Sequence, residues 1–135
     1  MCKILLKDLK NEDSFTEVDF RGCNFLTNTY LSNKTFKSCN FKNCNLVGVN
    51  LYQTELSNSD FTDANLTNAL LKHTRFTDSD LTGANLSGAY ATGALFDNTV
   101  LTGVVLTGAD LIKASFFDSD LTGADLTGAD LTGAD

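Results

Sequence analysis

Residues Asp120 to Asp135 read DLTGADLTGADLTGAD. A five-residue word is repeated, and stepping backwards in fives finds it almost to the start of the chain. Taking the large apolar residue of each word as its centre, the centres are Phe15, Phe20 and Phe25, then Leu31, Phe36, Phe41 and so on to Leu131. There are 24 of them: nine Phe, fourteen Leu and Ala91. Nine of the ten phenylalanines fall on a centre, which rules out chance spacing. The phase slips once, between Phe25 and Leu31, where six residues replace five.

The chemistry of each word follows from its spacing. A small residue such as Ala64, Ala84, Ser59 or Thr99 stands two before each centre, and Asp or Asn stands between them in most words. Residues two apart on an extended segment point the same way, so the small and large residues face in and the residue between them faces out. The Gly, Asn or Asp two places after the centre suits positive φ and a tight corner. A helix would need a period of about 3.6 or about 3.5 residues; at five, its apolar stripe would wind around the axis and bury nothing. Gly, Thr, Asn and Asp are also weak helix formers.

The number of sides per coil is legible in the phenylalanines. Phe36, Phe76, Phe96 and Phe116 are spaced by 40, 20 and 20, with Leu56 filling the gap. Allowing for the slip, Phe15 joins that column, and Phe20, Phe41 and Phe61 form a second. A 20-residue coil of four sides explains both. The word resembles that of the pentapeptide-repeat family over residues 13 to 135. The resemblance implies an all-β fold, a right-handed quadrilateral parallel β-helix (solenoid) of about six coils. Three departures are Lys34 in a small inward slot, Ala91 in a centre slot, and the slip placed at Asn28. Leu31 is expected to be the centre there; Tyr30 is the alternative. Lys34 either pairs with Asp13, its ladder neighbour below, or is swung outward by a bulge.

At 135 residues the chain is one domain, with residues 1–12 outside the repeat and expected to cap the first coil. Net charge is −7 and uneven: residues 1–53 carry seven basic against five acidic groups, residues 54–135 three against twelve. An acidic half repels nucleic acid and attracts basic surfaces, and no basic stripe offers a nucleic-acid site. No signal peptide and no membrane-spanning run is apparent, so a cytoplasmic location is expected. Cys23, Cys39 and Cys44 occupy small inward slots, and no CxxC spacing supports a metal. Buried thiols without bridges are expected.

Chemistry is not apparent. His73, the single histidine, sits in a corner slot with Gln53 and Gly93 as ladder neighbours, and no nucleophile faces it. No catalytic, cofactor-binding or metal residue is proposed, and no small-molecule substrate is expected. Attention goes to the outside. Asp60, Asp80 and Asp120 fall in one outward column with Val100 between them, a candidate acidic column. Asn24, Asn45, Asn65 and Asn85 fall in another, an expected amide ladder, and Glu55 should neighbour Arg75. Leu95, Val100, Val105, Ile112 and Phe117 take outward slots where Asp or Asn is usual, a candidate contact band or scattered drift.

Two function classes remain. One is a non-catalytic structural or protein-interaction rod. The other comes from the resemblance, whose family includes acidic DNA mimics that bind DNA gyrase and confer quinolone resistance. The chain has the acidic half for this, without an added helical dimerisation segment after the repeats or a long loop interrupting them. Self-association through residues 114 to 135 is also expected, with Leu126 and Leu131 at the apolar edge, unless the native protein continues past Asp135.

Overall fold

The structure, a computed structural model, describes residues 6–25, 27 and 29–135. Its order is a short helix α1 (Leu6–Asn11), then coils of bridge-forming sides, of which two are long enough to count as strands: β1 (Ser14–Thr16) and β2 (Thr35–Lys37). These two pair in parallel with Phe15 beside Phe36. Leu9 of α1 is buried in the same cluster as Phe15.

Parallel bridges define four columns and therefore four faces. Face 1 climbs Thr35, Glu55, Arg75, Leu95 and Ser115. Face 2 climbs Asp19, Asn40, Asp60, Asp80, Val100 and Asp120. Face 3 climbs Asn24, Asn45, Asn65, Asn85, Val105 and Asp125, and face 4 climbs Tyr30, Asn50, Leu70, Tyr90, Asp110 and Asp130. The fold is the right-handed, four-sided parallel β-helix that the 20-residue spacing predicts. Asn24 pairs 21 residues on, Tyr30 only 20, so the additional residue lies between them. Its placement at Asn28 lies outside the described residues.

Each outward residue bonds through its own amide and carbonyl to the coil below, and its two chain neighbours bond to the coil above. The Asp60 amide donates down to the Cys39 carbonyl at 3.0 Å, and the Phe61 amide donates up to the Asp80 carbonyl at 2.7 Å. At each corner the small residue's amide closes back on the centre, as Ala64 does on Phe61 at 2.9 Å, around a residue with positive φ such as Asp63. Among the described residues, thirteen other than glycine hold positive φ, five of them Asn, so the corner geometry rather than glycine itself dictates the backbone. The outward Asp or Asn also secures the corner, because its Oδ1 accepts the amide two residues on, at 2.8 Å for Asp60 with Thr62 and 3.1 Å for Asn65 with Thr67. Such Asx turns pin the backbone there. Outward polarity alone therefore understates why the word contains Asp or Asn.

Inside, the columns are stacked rings. Phe15 and Phe36 lie 4.9 Å apart, Phe76 and Phe96 5.2 Å, Phe96 and Phe116 5.1 Å. Phe20, Phe41 and Phe61 stack at 4.7 Å. Where an inward small slot holds a hydroxyl, it donates to a centre carbonyl of the coil below, as Thr54 does to Leu31 at 2.8 Å and Thr74 to Leu51 at 2.7 Å. Among the described residues no buried side-chain polar atom lacks a partner.

The irregular stretch resolves in favour of Leu31, which is buried while Tyr30 is 74% exposed. Lys34 stays inward, its ammonium donating to the Glu12 carbonyl at 2.6 Å and to Asp13 Oδ1 at 2.9 Å; it is not swung out. Cys39 and Cys44 are free and buried, and burial pushes the Cys44 thiol up to about 11. Cys23 departs from expectation: it is disulfide-bonded. The spacing argument weighed only its stacked neighbour Cys44, and that pair is indeed unbonded.

Candidate functional site: the outer faces

Between the stacked coils the interior is filled by the centres from Phe20 to Leu111, all of them buried. His73 sits exposed on the corner between faces 4 and 1, edge-on to the Tyr52 ring at 6.3 Å. Among the described residues no group of His, Cys, Asp and Glu is placed to hold a metal ion, and no helix is long and apolar enough to cross a membrane. What varies from coil to coil is the outward slot.

Face 2 assembles the expected acidic column. Asp60 lies under Asp80, then Val100 intervenes below Asp120. Each carboxylate holds its corner through Oδ1, accepting from the Thr82 amide at 2.9 Å for Asp80 and from the Thr122 amide at 2.9 Å for Asp120, and Asp120 Oδ2 accepts from the Thr102 hydroxyl at 3.2 Å. Hydrogen bonds from the Thr122 hydroxyl, the Thr122 amide and the Thr102 hydroxyl hold the Asp120 carboxyl below the usual range. The corners flanking this face carry Asp63, Asp78, Asp97 and Asp118. Seven of the twelve acidic residues after Gln53 therefore lie on face 2 or its edges, and none of the three basic ones does. This is a stronger segregation than the net charge of the half conveys.

The amide ladder on face 3 is realised at one step. The Asn45 side-chain Nδ2 donates to Asn24 Oδ1 at 2.9 Å, whereas the Asn65 and Asn85 Oδ1 atoms accept from the Thr67 and Ser87 backbone amides in their own corners. Arg75 and Glu55 pair across coils on face 1 at 3.1 Å.

The apolar band separates into pieces. Leu95, Val100 and Val105 lie on faces 1, 2 and 3 of one coil, so they ring the rod and do not form a flat patch. Ile112 stands at the corner of faces 4 and 1, and Phe117, 66% exposed, at the corner of faces 1 and 2. Leu126 and Leu131 belong to a different surface: with Phe116, Leu121 and Ala134 they line a hollow at the mouth of the last coil. That coil carries Asp120, Asp125 and Asp130 outward on three of its sides.

A column that reading along the chain misses lies on face 4. Tyr30, Leu70 and Tyr90 occupy one outward column and are exposed by 74%, 39% and 55%. Tyr52 stands at the edge of the same face. All three tyrosines of the chain are thus on one side of it. The 20-residue step that aligns the phenylalanines, applied to outward slots, is the signal that finds them.

Comparison with known proteins agrees with this architecture. The family description "Pentapeptide repeat region" matches residues 13–89, and "Pentapeptide repeats (8 copies)" matches residues 99–135. Among solved structures, a trypsin-treated form of QnrB1, a plasmid-mediated fluoroquinolone resistance protein, is 26% identical with a TM-score of 0.76. The match covers 90% of this chain and 61% of that one, so the chain spans about three-fifths of that relative's length. Rfr23, a pentapeptide repeat protein from the cyanobacterium Cyanothece 51142, is 25% identical with a TM-score of 0.55, covering 96% of this chain and 92% of that one. No curated protein matches the sequence closely enough to count as a relative.

Proposed function

The chain belongs to the pentapeptide-repeat family, and on that premise we propose that it is a non-catalytic interaction rod whose protein partners read its outer faces. The observation that carries this reading is the division of labour between slots. Inward positions repeat the same Leu, Phe and small residues through all coils, while outward positions differ sharply between face 2 and face 4. A filled interior offers no cavity to raise a carboxyl pKa or exclude water from a substrate, which an enzyme of this size would need. Photo-crosslinking tests it: a crosslinking residue placed at position 80 or 90 should give adducts with defined proteins, competed away by excess unlabelled chain. Uncompeted smears from both positions would count against an interaction role.

The acidic face favours a second, narrower reading. Asp60, Asp80 and Asp120, with their flanking carboxylates, present a negative strip along the rod, and the QnrB1 likeness extends over most of this chain. On this reading the strip occupies a basic, DNA-binding surface of DNA gyrase. Its test is a supercoiling assay with purified gyrase. Inhibition, or protection against a quinolone, at about micromolar protein would support it. Loss of the effect in an Asp60→Asn, Asp80→Asn, Asp120→Asn variant would assign it to face 2.

A further inference from the structure

Face 4 combines two chemistries in one straight column. From the amino-terminal end it reads Tyr30, Asn50, Leu70, Tyr90, and then Asp110 and Asp130. Three exposed apolar or aromatic side chains at its lower levels give way to two carboxylates at its upper levels. Lys72 and Lys113 stand exposed along one edge, at the corner shared with face 1. Tyrosine enrichment and charge depletion in the centre of a patch, with charges at its margin, is the composition of a recognition surface.

The dimensions select the occupant. Five coil steps of about 4.8 Å make the column roughly 24 Å long, and a side of about three extended residues is roughly 10 Å wide. Any occupant laid on this face covers about 240 Å², well short of the roughly 800 Å² per partner of a stable interface, so contact is weak and the occupant is selected by width, pitch and charge. A single α-helix of about 10–12 Å diameter matches the width, and its pitch of about 5.4 Å lies close to the coil rise. A helix running along the rod axis therefore brings residues i, i+3 or i+4, and i+7 over successive coils, drifting by only about 0.6 Å per turn.

We propose that face 4 docks an amphipathic α-helix of a partner protein, lying along the rod axis. Its apolar stripe rests on Tyr30, Leu70 and Tyr90, and its cationic end lies over Asp110 and Asp130. Its flank toward Lys72 and Lys113 carries carboxylates. An Arg at the boundary can lie over the Tyr90 ring as well as beside Asp110. Asp110 accepts from the Thr92 hydroxyl and the Ile112 amide, and Asp130 from Thr132, but among the described residues neither has a cationic partner. The charge pattern fixes the direction of the helix, because reversing it would set cations on the apolar levels and leave both carboxylates without one. This inference rests on the interaction-rod reading and assigns it to one face.

The chain supplies its own reporter. It has no Trp, and its three Tyr all lie on or at the edge of face 4, so its intrinsic emission reads this face. The probe is a synthetic helix of about 16 residues without Trp or Tyr. It carries Leu at helical spacing, two Arg at one end and two Glu along one flank, so it is neutral and bulk attraction to the acidic chain drops out. The control exchanges its Arg and Glu. The expected result is a saturable change in tyrosine emission, half complete at about 10–100 µM as befits a small interface. It should weaken at least about tenfold with Leu70→Asp or Asp110→Lys, and the exchanged peptide should bind at least about tenfold more weakly. Leu70 occupies a slot where other coils carry Asp, so Leu70→Asp is expected to fold; circular dichroism checks it. No saturable change, or equal binding of both peptides, would overturn the proposal. Binding abolished by Asp60→Asn with Asp80→Asn but indifferent to Leu70→Asp would also overturn it, while leaving the interaction-rod reading intact.

Discussion

Faces 2 and 4 are opposite sides of the same rod, and they differ most in their outward slots and corners. Beneath face 2 the centres Phe61, Leu81 and Leu101 are fully buried; beneath face 4 so are Leu71, Ala91 and Leu111. The ladders above them are also alike, with the Leu81 amide on the Val100 carbonyl at 2.7 Å and the Leu71 amide on the Tyr90 carbonyl at 2.8 Å. Yet one face shows Asp60 and Asp80 and the other Leu70 and Tyr90. In a solenoid, stability is set by inward slots and neighbour contacts, so the outward slot is left free to encode recognition.

The largest effects should therefore be indifferent to the outer face. Phe61→Ala, under the acidic face, should cost about 3–5 kcal/mol, and Leu71→Ala, under the aromatic face, about 2–5 kcal/mol. Chemical denaturation measures both. If one costs almost nothing, the claim of a common interior fails.

Corners give a finer test. Gly93 (φ 64) borders face 4 and Gly103 (φ 65) borders face 2. Alanine at either must hold a left-handed backbone, at roughly 1–2 kcal/mol. At Gly103 an added Cβ meets nothing within 4 Å, whereas at Gly93 it would lie 2.7 Å from His73 Nδ1. Gly93→Ala should therefore cost more, and adding His73→Ala should remove the excess. Equal melting temperatures for the two alanine variants would show that the imidazole simply turns aside.

Ala91 is the one centre under face 4, and in the whole chain, that is neither Leu nor Phe. Ala91→Leu should be neutral or stabilising by about 1 kcal/mol in thermal melting. A loss of stability would mean that neighbours already occupy the space. The smallest expected effect is acidic. Hydrogen bonds within their corners hold Asp120, Asp125 and Asp130 below the ordinary carboxyl value of 3.8, the Thr122, Thr127 and Thr132 hydroxyls contributing most. A depressed folded value contributes stability that is present above the unfolded value and lost as pH falls through the folded one. Stability should hold at neutral pH and decline slightly below about pH 4, and replacing these residues by Asn should flatten that decline.

The fold was legible because its determinants are periodic. Nine Phe on centres and a spacing of 20 specify both the sides and the coil. Lys34 was legible only as two alternatives, since sequence spacing places Asp13 below it but does not say whether the Glu12 carbonyl is there to share the ammonium. The Cys23 bridge was hidden because the spacing argument weighed only its stacked neighbour Cys44, which is free. The apolar outward residues were read along the chain, which joins Leu95 to Val100 although a corner separates them. Reading them up the coils joins Tyr30 to Leu70 and Tyr90.

The central claim is that partners read the outward slots and not the rod as a whole. Competition measures it directly. Wild-type chain bearing a photo-crosslinker is challenged with three unlabelled competitors: wild type, a face 2 variant (Asp60→Asn, Asp80→Asn, Asp120→Asn) and a face 4 variant (Tyr30→Ser, Leu70→Ser, Tyr90→Ser), each checked for an unchanged melting temperature. For any given adduct, the account predicts that wild type and one face variant compete while the other face variant does not. Full competition by both equally stable variants would contradict it.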